Sequence, residues 1–213
     1  MTMIFRFGRA LFRMYFRIFY KNQVYLPKDF FHGGAILAAN HTSYFDPPLV
    51  GVACPDDIHF LARESLFKHP VFGYLIRKAH AHPVAGGGSD LNSIKLICKL
   101  LKEGKKVLIF PEGTRTPDGQ LAPFKGGIAF IALRSNVPII PVYVYGTYDA
   151  WGRQRKAPKL FGKVAVVFGS AIDLNEYSQM DRKEAQEKVA QRLYQAILDL
   201  KQWYDNGAQG FPP

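Results

Sequence analysis

Residues 35–48 read Ala-Ile-Leu-Ala-Ala-Asn-His-Thr-Ser-Tyr-Phe-Asp-Pro-Pro, and this stretch decides how the rest of the chain is read. Ala35 to Ala39 form a short uninterrupted apolar run, the pattern of a strand buried on both faces. Pro47 has no backbone donor and suits the first turn of a helix, where that donor would go unpaired. A strand therefore runs through a turn into a helix, and His41 and Asp46 both belong to the turn. A neutral imidazole there can take a proton from a hydroxyl through one ring nitrogen. A carboxylate holds the other N–H and stabilises the imidazolium that forms. Aspartate before proline is also a good helix N-cap, so these residues alone leave two roles open for Asp46, orienter of a base or cap.

On both sides of this stretch the pattern alternates between strand and helix. A helix from 47 to about 54 ends at Cys54-Pro55, and Ile58 to Ala62 reads as a strand. Pro70 to Ala79 reads as helix and His80 to Val84 as strand. Ser89 or Asp90 caps a helix carrying Leu91, Ile94, Ile97, Cys98 and Leu101 at helical spacing, which Gly104 stops. Val107 to Phe110, Ile139 to Val144 and Val164 to Phe168 read as strands, Gly126 to Arg134 as a helix, and Asp181 to about Tyr204 as a long closing helix. The expected fold is α/β, one domain over 29–205 with a mostly parallel sheet flanked by helices. Residues 206–213 are expected to fray.

The chain carries a net charge of +11 over 213 residues, and the cations are clustered. Arg6, Arg9, Arg13, Arg17 and Lys21 recur in steps of three and four, opposite Ile4, Phe7, Leu11, Met14, Tyr15 and Ile18. Residues 1–28 are therefore expected to form an amphipathic membrane-interface helix with its cations towards an anionic surface. Arginines near its middle, at about 2.5–3.5 kcal/mol each at a bilayer centre, exclude a span, and a core-packing helix with a solvated basic face is the alternative. The protein is accordingly expected on the cytoplasmic side of a membrane, held peripherally. A second acid-free stretch holds Arg153, Arg155, Lys156, Lys159 and Lys163. Without a helix-turn-helix or RNP-like pattern, nucleic acid is not an expected partner. Cys54 and Cys98 stand apart, which argues against a disulfide framework or zinc site, and His80-Ala-His82 lacks a third ligand, so no metal is expected.

The second informative stretch is Phe110-Pro-Glu-Gly-Thr-Arg115, followed by Phe124-Lys-Gly-Gly127. Loops after the carboxyl ends of strands are where α/β domains bind ligands. Gly113 allows close backbone approach, Arg115 offers a planar fork for phosphate oxygens, and Lys125 adds a point charge. A tight turn with Arg115 paired to Glu112 is the competing reading.

In this order and spacing the segments from about Ala35 to Gly169 resemble the 1-acyl-sn-glycerol-3-phosphate (lysophosphatidate) acyltransferase family. The resemblance rests on Asn40 to Pro48, Phe110 to Arg115, and Val137-Pro-Ile-Ile-Pro-Val142. It implies a glycerol-phosphate-acyltransferase-like domain that moves a fatty acyl group from acyl-CoA or acyl carrier protein to the free hydroxyl of lysophosphatidate. No cofactor is implied beyond the thioester cosubstrate. His41 and Asp46 would be the catalytic pair, Glu112, Gly113, Thr114 and Arg115 the glycerol-phosphate site, and Val137, Pro138 and Ile139 part of the acyl side. One departure stands out: where the family's second block has Pro-Val followed by Arg, Pro83-Val84 is followed here by Ala85 and then Gly86-Gly87-Gly88. Arg77, Lys78 or the helix N-terminus after Gly88 are the candidate substitutes as phosphate ligands. Two other readings stay open, an acyltransferase with another lysolipid acceptor and a basic membrane-surface module without catalysis.

Overall fold

The computed structural model describes residues 3–84, 90–124 and 126–213. Its elements, in chain order, are α1 (Met3–Tyr20), β1 (Gln23–Tyr25), β2 (Ala35–Ala39), α2 (Asp46–Ala53), β3 (Ile58–Arg63), α3 (Pro70–Lys78), β4 (Ala81–Val84), α4 (Leu91–Lys102), β5 (Lys106–Ile109), α5 (Gly127–Ser135), β6 (Ile139–Tyr145), α6 (Thr147–Trp151), β7 (Ala165–Phe168) and α7 (Arg182–Asp205). The strands form one seven-stranded sheet in the order β1-β7-β6-β2-β5-β3-β4. From β6 to β4 all pairings are parallel, and β7 turns the direction by pairing antiparallel with β6. The fold class is thus the expected one, an α/β domain with a mostly parallel sheet.

β2 lies at the centre of the sheet because its residues, Ala35 to Ala39, are all apolar and are fully buried on both faces. Odd-numbered β2 residues pack with α1 and α2, and Ile36 and Ala38 with α4, α5 and α7, so helices cover both sheet faces. Three helix ends show their chemical reason directly. Asp90 and Asp181 accept N–H groups of the first turns of α4 and α7, and Asn136 ends α5 in a left-handed conformation at φ 48°.

The N-terminal region departs from expectation in two ways. No boundary falls at residue 28, since β1 pairs with β7 within the main sheet. The docked side of α1 is also the opposite one. Arg9 donates to the Cys54 carbonyl and pairs with Asp57 at 3.5 Å, while Arg13 donates to Val52 O at 2.8 Å. These are carbonyls at the open carboxyl end of α2, where cations also meet the favourable end of the helix dipole. Phe16 and Tyr20 are fully buried, edge-on to Phe45 with ring centroids 5.3 and 5.2 Å away. The apolar ridge Phe7, Leu11, Met14 and Ile18 is left facing solvent, each residue at least half exposed.

The tail also differs from expectation. Pro213 O accepts Ser170 N–H at 2.9 Å, the Ala208 N–H bonds back to Trp203 O, and Trp203 Nε1 donates to Gln209 O. Residues 208, 209 and 213 thus bond back to α7 and to Ser170, just beyond β7. Among the described residues no helix is long and apolar enough to cross a membrane.

Candidate active site

The turn after β2 is organised by one carboxylate. Asp46 is fully buried, and its Oδ2 accepts the Thr42 and Ser43 backbone N–H groups, each at 2.7 Å, and lies 2.8 Å from His41 Nδ1. Thr147 Oγ1 donates to Oδ1 at 2.6 Å. With Nδ1–H turned to this carboxylate, Nε2 of His41 is the ring nitrogen left for a substrate. Asp46 does not cap α2. That helix has Phe45 at its N-cap with no side-chain hydrogen bond, and the carboxylate reaches back to the turn instead. The cap role left open by the sequence is not the one the residue plays.

The loop after β5 closes over the same histidine. Phe110 stacks on the imidazole with ring centroids 3.9 Å apart and an interplanar angle of 17°. Glu112 Oε1 accepts the His41 backbone N–H at 2.7 Å, and Thr116 N–H donates to His41 O at 2.9 Å, so both main-chain polar groups of His41 are held by this loop. The loop can double back because Gly113, at φ 76°, occupies a left-handed conformation that a side chain would strain. The other oxygen of Glu112 accepts Ala122 N–H at 3.2 Å. Burial pushes this carboxyl up to about 7, against the two backbone donors that favour its charge.

Glu112 was expected among the substrate ligands, and the structure turns it towards the backbone of the site. Its carboxylate is turned inward, 5 % exposed, with both oxygens on backbone donors, one of them the His41 N–H. The competing Arg115–Glu112 pair is also not formed. Arg115 lies flat over the Tyr44 ring, its guanidinium carbon 3.5 Å from the centroid, and Nη1 has no hydrogen-bond partner among the described residues. Tyr44 is three residues beyond His41, so this stack brings the guanidinium to the turn that carries His41. Gly113 and Thr114 are exposed beside it.

Several expected residues lie elsewhere. Val137, Pro138 and Ile139 sit at the opposite end of the sheet. Ile139 is opposite Ile36, and at about 3.3 Å per residue that is roughly 16 Å short of His41. Ile139 is fully buried in the core with α5 and α7, and Val137 packs half-buried against the same core. Lys125 and the Ala85 to Ser89 stretch fall outside the described residues. Asp90 already takes up the Asn92 and Ser93 N–H groups of α4, so that helix start is occupied by its own carboxylate. Arg77 lies over the Phe67 ring and Lys78 over Tyr74.

Two participants were not expected from the sequence. Thr147, far along the chain, gives no local signal. Asn40, within the quoted stretch, clamps β6 by donating to Val144 O at 3.0 Å and accepting Val144 N–H at 2.7 Å. A polar residue closing a fully apolar strand was the available hint. Among the described residues no cluster of His, Cys, Asp or Glu is arranged to hold a metal ion.

Comparison with known proteins agrees with this geometry. Residues 17–145 match the family model described as Acyltransferase. The chain is 31% identical over 185 residues to the 1-acyl-sn-glycerol-3-phosphate acyltransferase of Bacillus subtilis, covering 86% of this chain and 88% of that one. Against the enzyme of the same name from Cocos nucifera it is 32% identical over 162 residues, covering 71% of this chain and 53% of the relative. The crystal structure of the 1-acyl-sn-glycerophosphate acyltransferase of Thermotoga maritima superposes with a TM-score of 0.71 at 28% identity, over 93% of this chain and 78% of that one. With the histidine and carboxylate turn, the arginine loop and these likenesses together, the chain belongs to the 1-acyl-sn-glycerol-3-phosphate acyltransferase family.

Proposed function

We propose that this protein transfers a fatty acyl group from a thioester, acyl-CoA or acyl carrier protein, to the free hydroxyl of lysophosphatidate, giving phosphatidate. The observation that carries the reading is the His41–Asp46 pair, with Nδ1 engaged and Nε2 left for a hydroxyl. As the acceptor oxygen attacks the thioester carbonyl and forms the new C–O bond, His41 Nε2 takes its proton. Asp46 stabilises the resulting imidazolium. Collapse of the tetrahedral intermediate breaks the C–S bond, and the departing sulfur receives the proton back, so no covalent acyl-enzyme is needed. Arg115, stacked and partly unpaired, suits a bidentate hold on the acceptor phosphate. The exposed ridge of α1 supports peripheral attachment to a leaflet in its plane, from which a lysolipid is drawn.

The test is to offer the purified protein lysophosphatidate, lysolipids with larger head groups and glycerol phosphate, each with acyl-CoA and with acyl-carrier-protein thioester. Phosphatidate from lysophosphatidate at the highest kcat/KM is the expected result. Equal turnover of a lysolipid without a terminal phosphate would overturn the acceptor assignment, and no turnover of any acceptor would overturn the activity.

A further inference from the structure

We propose that residues 153–163, between α6 and β7, form a second lipid-contact element, which seats the mouth of the site on an anionic leaflet beside α1. The segment reads Arg-Gln-Arg-Lys-Ala-Pro-Lys-Leu-Phe-Gly-Lys, with five cations and no acid. Residues 153–161 are all exposed, and its two large apolar residues point outward, Leu160 at 69% and Phe161 at 63% exposure. Solvating an adjacent Leu-Phe pair among cations is unfavourable unless an amphipathic surface covers it.

Its two ends say where that surface lies. At one end, Gly152 bridges to Ser43 of the catalytic turn and Gln154 Nε2 donates to Pro117 O at 3.2 Å, in the loop that carries Arg115. At the other, Gly162 N–H bonds to Phe19 O at 3.1 Å and Val164 N–H to Tyr20 O at 3.0 Å. Tyr20 Oη donates to Lys159 O, and Phe161 stacks on Phe19 with ring centroids 5.8 Å apart. The segment thus runs from the site to the carboxyl end of α1, where Phe161 packs on Phe19, the residue after the last member of the apolar ridge, Ile18. Cations with an exposed apolar wedge, next to the helix that carries an exposed apolar ridge, match anionic lipid more closely than an acidic protein donor, which would use the charge and leave Leu160 and Phe161 idle. The proposal rests on the lipid-surface reading of α1 given above.

The test uses the full chain and two variants, Leu160→Asp with Phe161→Asp, and Arg155→Glu with Lys156→Glu and Lys159→Glu. Co-sedimentation is measured with phosphatidylcholine vesicles with and without phosphatidylglycerol, alongside Tm and turnover of a short-chain lysophosphatidate dissolved as monomer. Each variant is expected to lose about tenfold or more in partition to the anionic vesicles, since one charge near the surface is worth roughly fivefold. Tm and monomer turnover stay as in the parent. Unchanged partition in both variants overturns the proposal, as does a loss seen only with a lowered Tm. A raised KM for acyl-carrier-protein thioester with unchanged vesicle binding would assign the segment to the donor instead. Loop-dependent vesicle binding by a parent that acylates nothing would sink the proposed activity and leave this inference standing.

Discussion

Two groups of histidines share this sheet, and they are treated in opposite ways. His41, at the carboxyl end of β2, is given a buried carboxylate 2.8 Å from Nδ1. On β3 and β4, His59 and His82 bond to each other at 2.9 Å, Nδ1 to Nε2, and His59 stacks on His80 and His82 with centroids 4.8 and 5.2 Å apart. Burial, then its neighbours His80 and His82, push His59 down to about 4. Burial also lowers the other two. Half-burial by itself makes an imidazole a poor proton acceptor, because the charged form loses its solvent. A partner that favours the imidazolium opposes this loss: His41 has the Asp46 carboxylate bonded to its ring, whereas for His59 and His80 the charge of Asp57 acts against burial without outweighing it.

The largest effect expected from breaking this contrast is at His41. His41→Ala should lose about 10²- to 10⁴-fold in kcat, measured on lysophosphatidate, while the cluster variant His59→Phe keeps its turnover. Similar losses in both would end the distinction. Asp46 separates charge from geometry. In Asp46→Asn the amide oxygen can still accept the three N–H groups that Oδ2 accepts, and the amide N–H₂ can donate to Thr147, so activity should collapse with Tm almost unchanged. Asp46→Ala strands those buried donors at about 1–3 kcal/mol each and should show up first as a lowered Tm.

Arg115→Lys comes next. Lysine cannot reproduce a stacked, two-pronged hold, so KM for the acceptor should rise about tenfold or more, on the order of one charged hydrogen bond, with the donor KM little changed. A parallel rise in both would make Arg115 a structural residue. Glu112→Gln tests positioning at smaller scale. Its amide presents a donor to one of the two backbone N–H groups, loosening His41, and kcat should fall about tenfold with KM steady, in keeping with loss of one buried hydrogen bond. If KM for the acceptor rises instead, Glu112 contacts substrate after all.

The smallest effects are in pH dependence, where the two raised and lowered groups act in opposite directions. Glu112 is raised from 4.5 to about 7. The folded state holds its proton more tightly than the unfolded chain, so its contribution is full below 4.5 and is lost as pH rises towards 7. His59 is lowered from 6.5 to about 4. There the unfolded chain is protonated first, and stability is lost as pH falls from 6.5 towards 4. Thermal melts of His59→Phe across that range should therefore decline less than those of the parent. An identical decline would place the acid sensitivity outside the cluster.

The pairing of His41 with Asp46 was legible in the sequence because it is local. His41 and Asp46 are five residues apart in a strand-to-helix turn, and no distant packing is needed to bring them together. The apolar runs also foretold the central strand and the parallel sheet, since a strand buried on both faces leaves little choice of residue. Distant or directional features were not legible. Helical spacing identified the stripes of α1 but not which one docks. The bare carbonyls at the end of α2 and the aromatic pocket around Phe45 decided that, drawing Arg9 and Arg13 inward and leaving Phe7, Leu11, Met14 and Ile18 outside. The family resemblance placed Glu112 among the ligands, and only the fold brought two backbone N–H groups to its oxygens. Val137 to Ile139 follow the site residues in sequence, yet parallel strands run from one end of a sheet to the other, which put them at its far end. Residue type and short spacing thus determined the chemistry of the turn, while tertiary packing decided what faces that turn, what supports it and which side of the molecule is left open, because those depend on groups that meet only once the chain has closed.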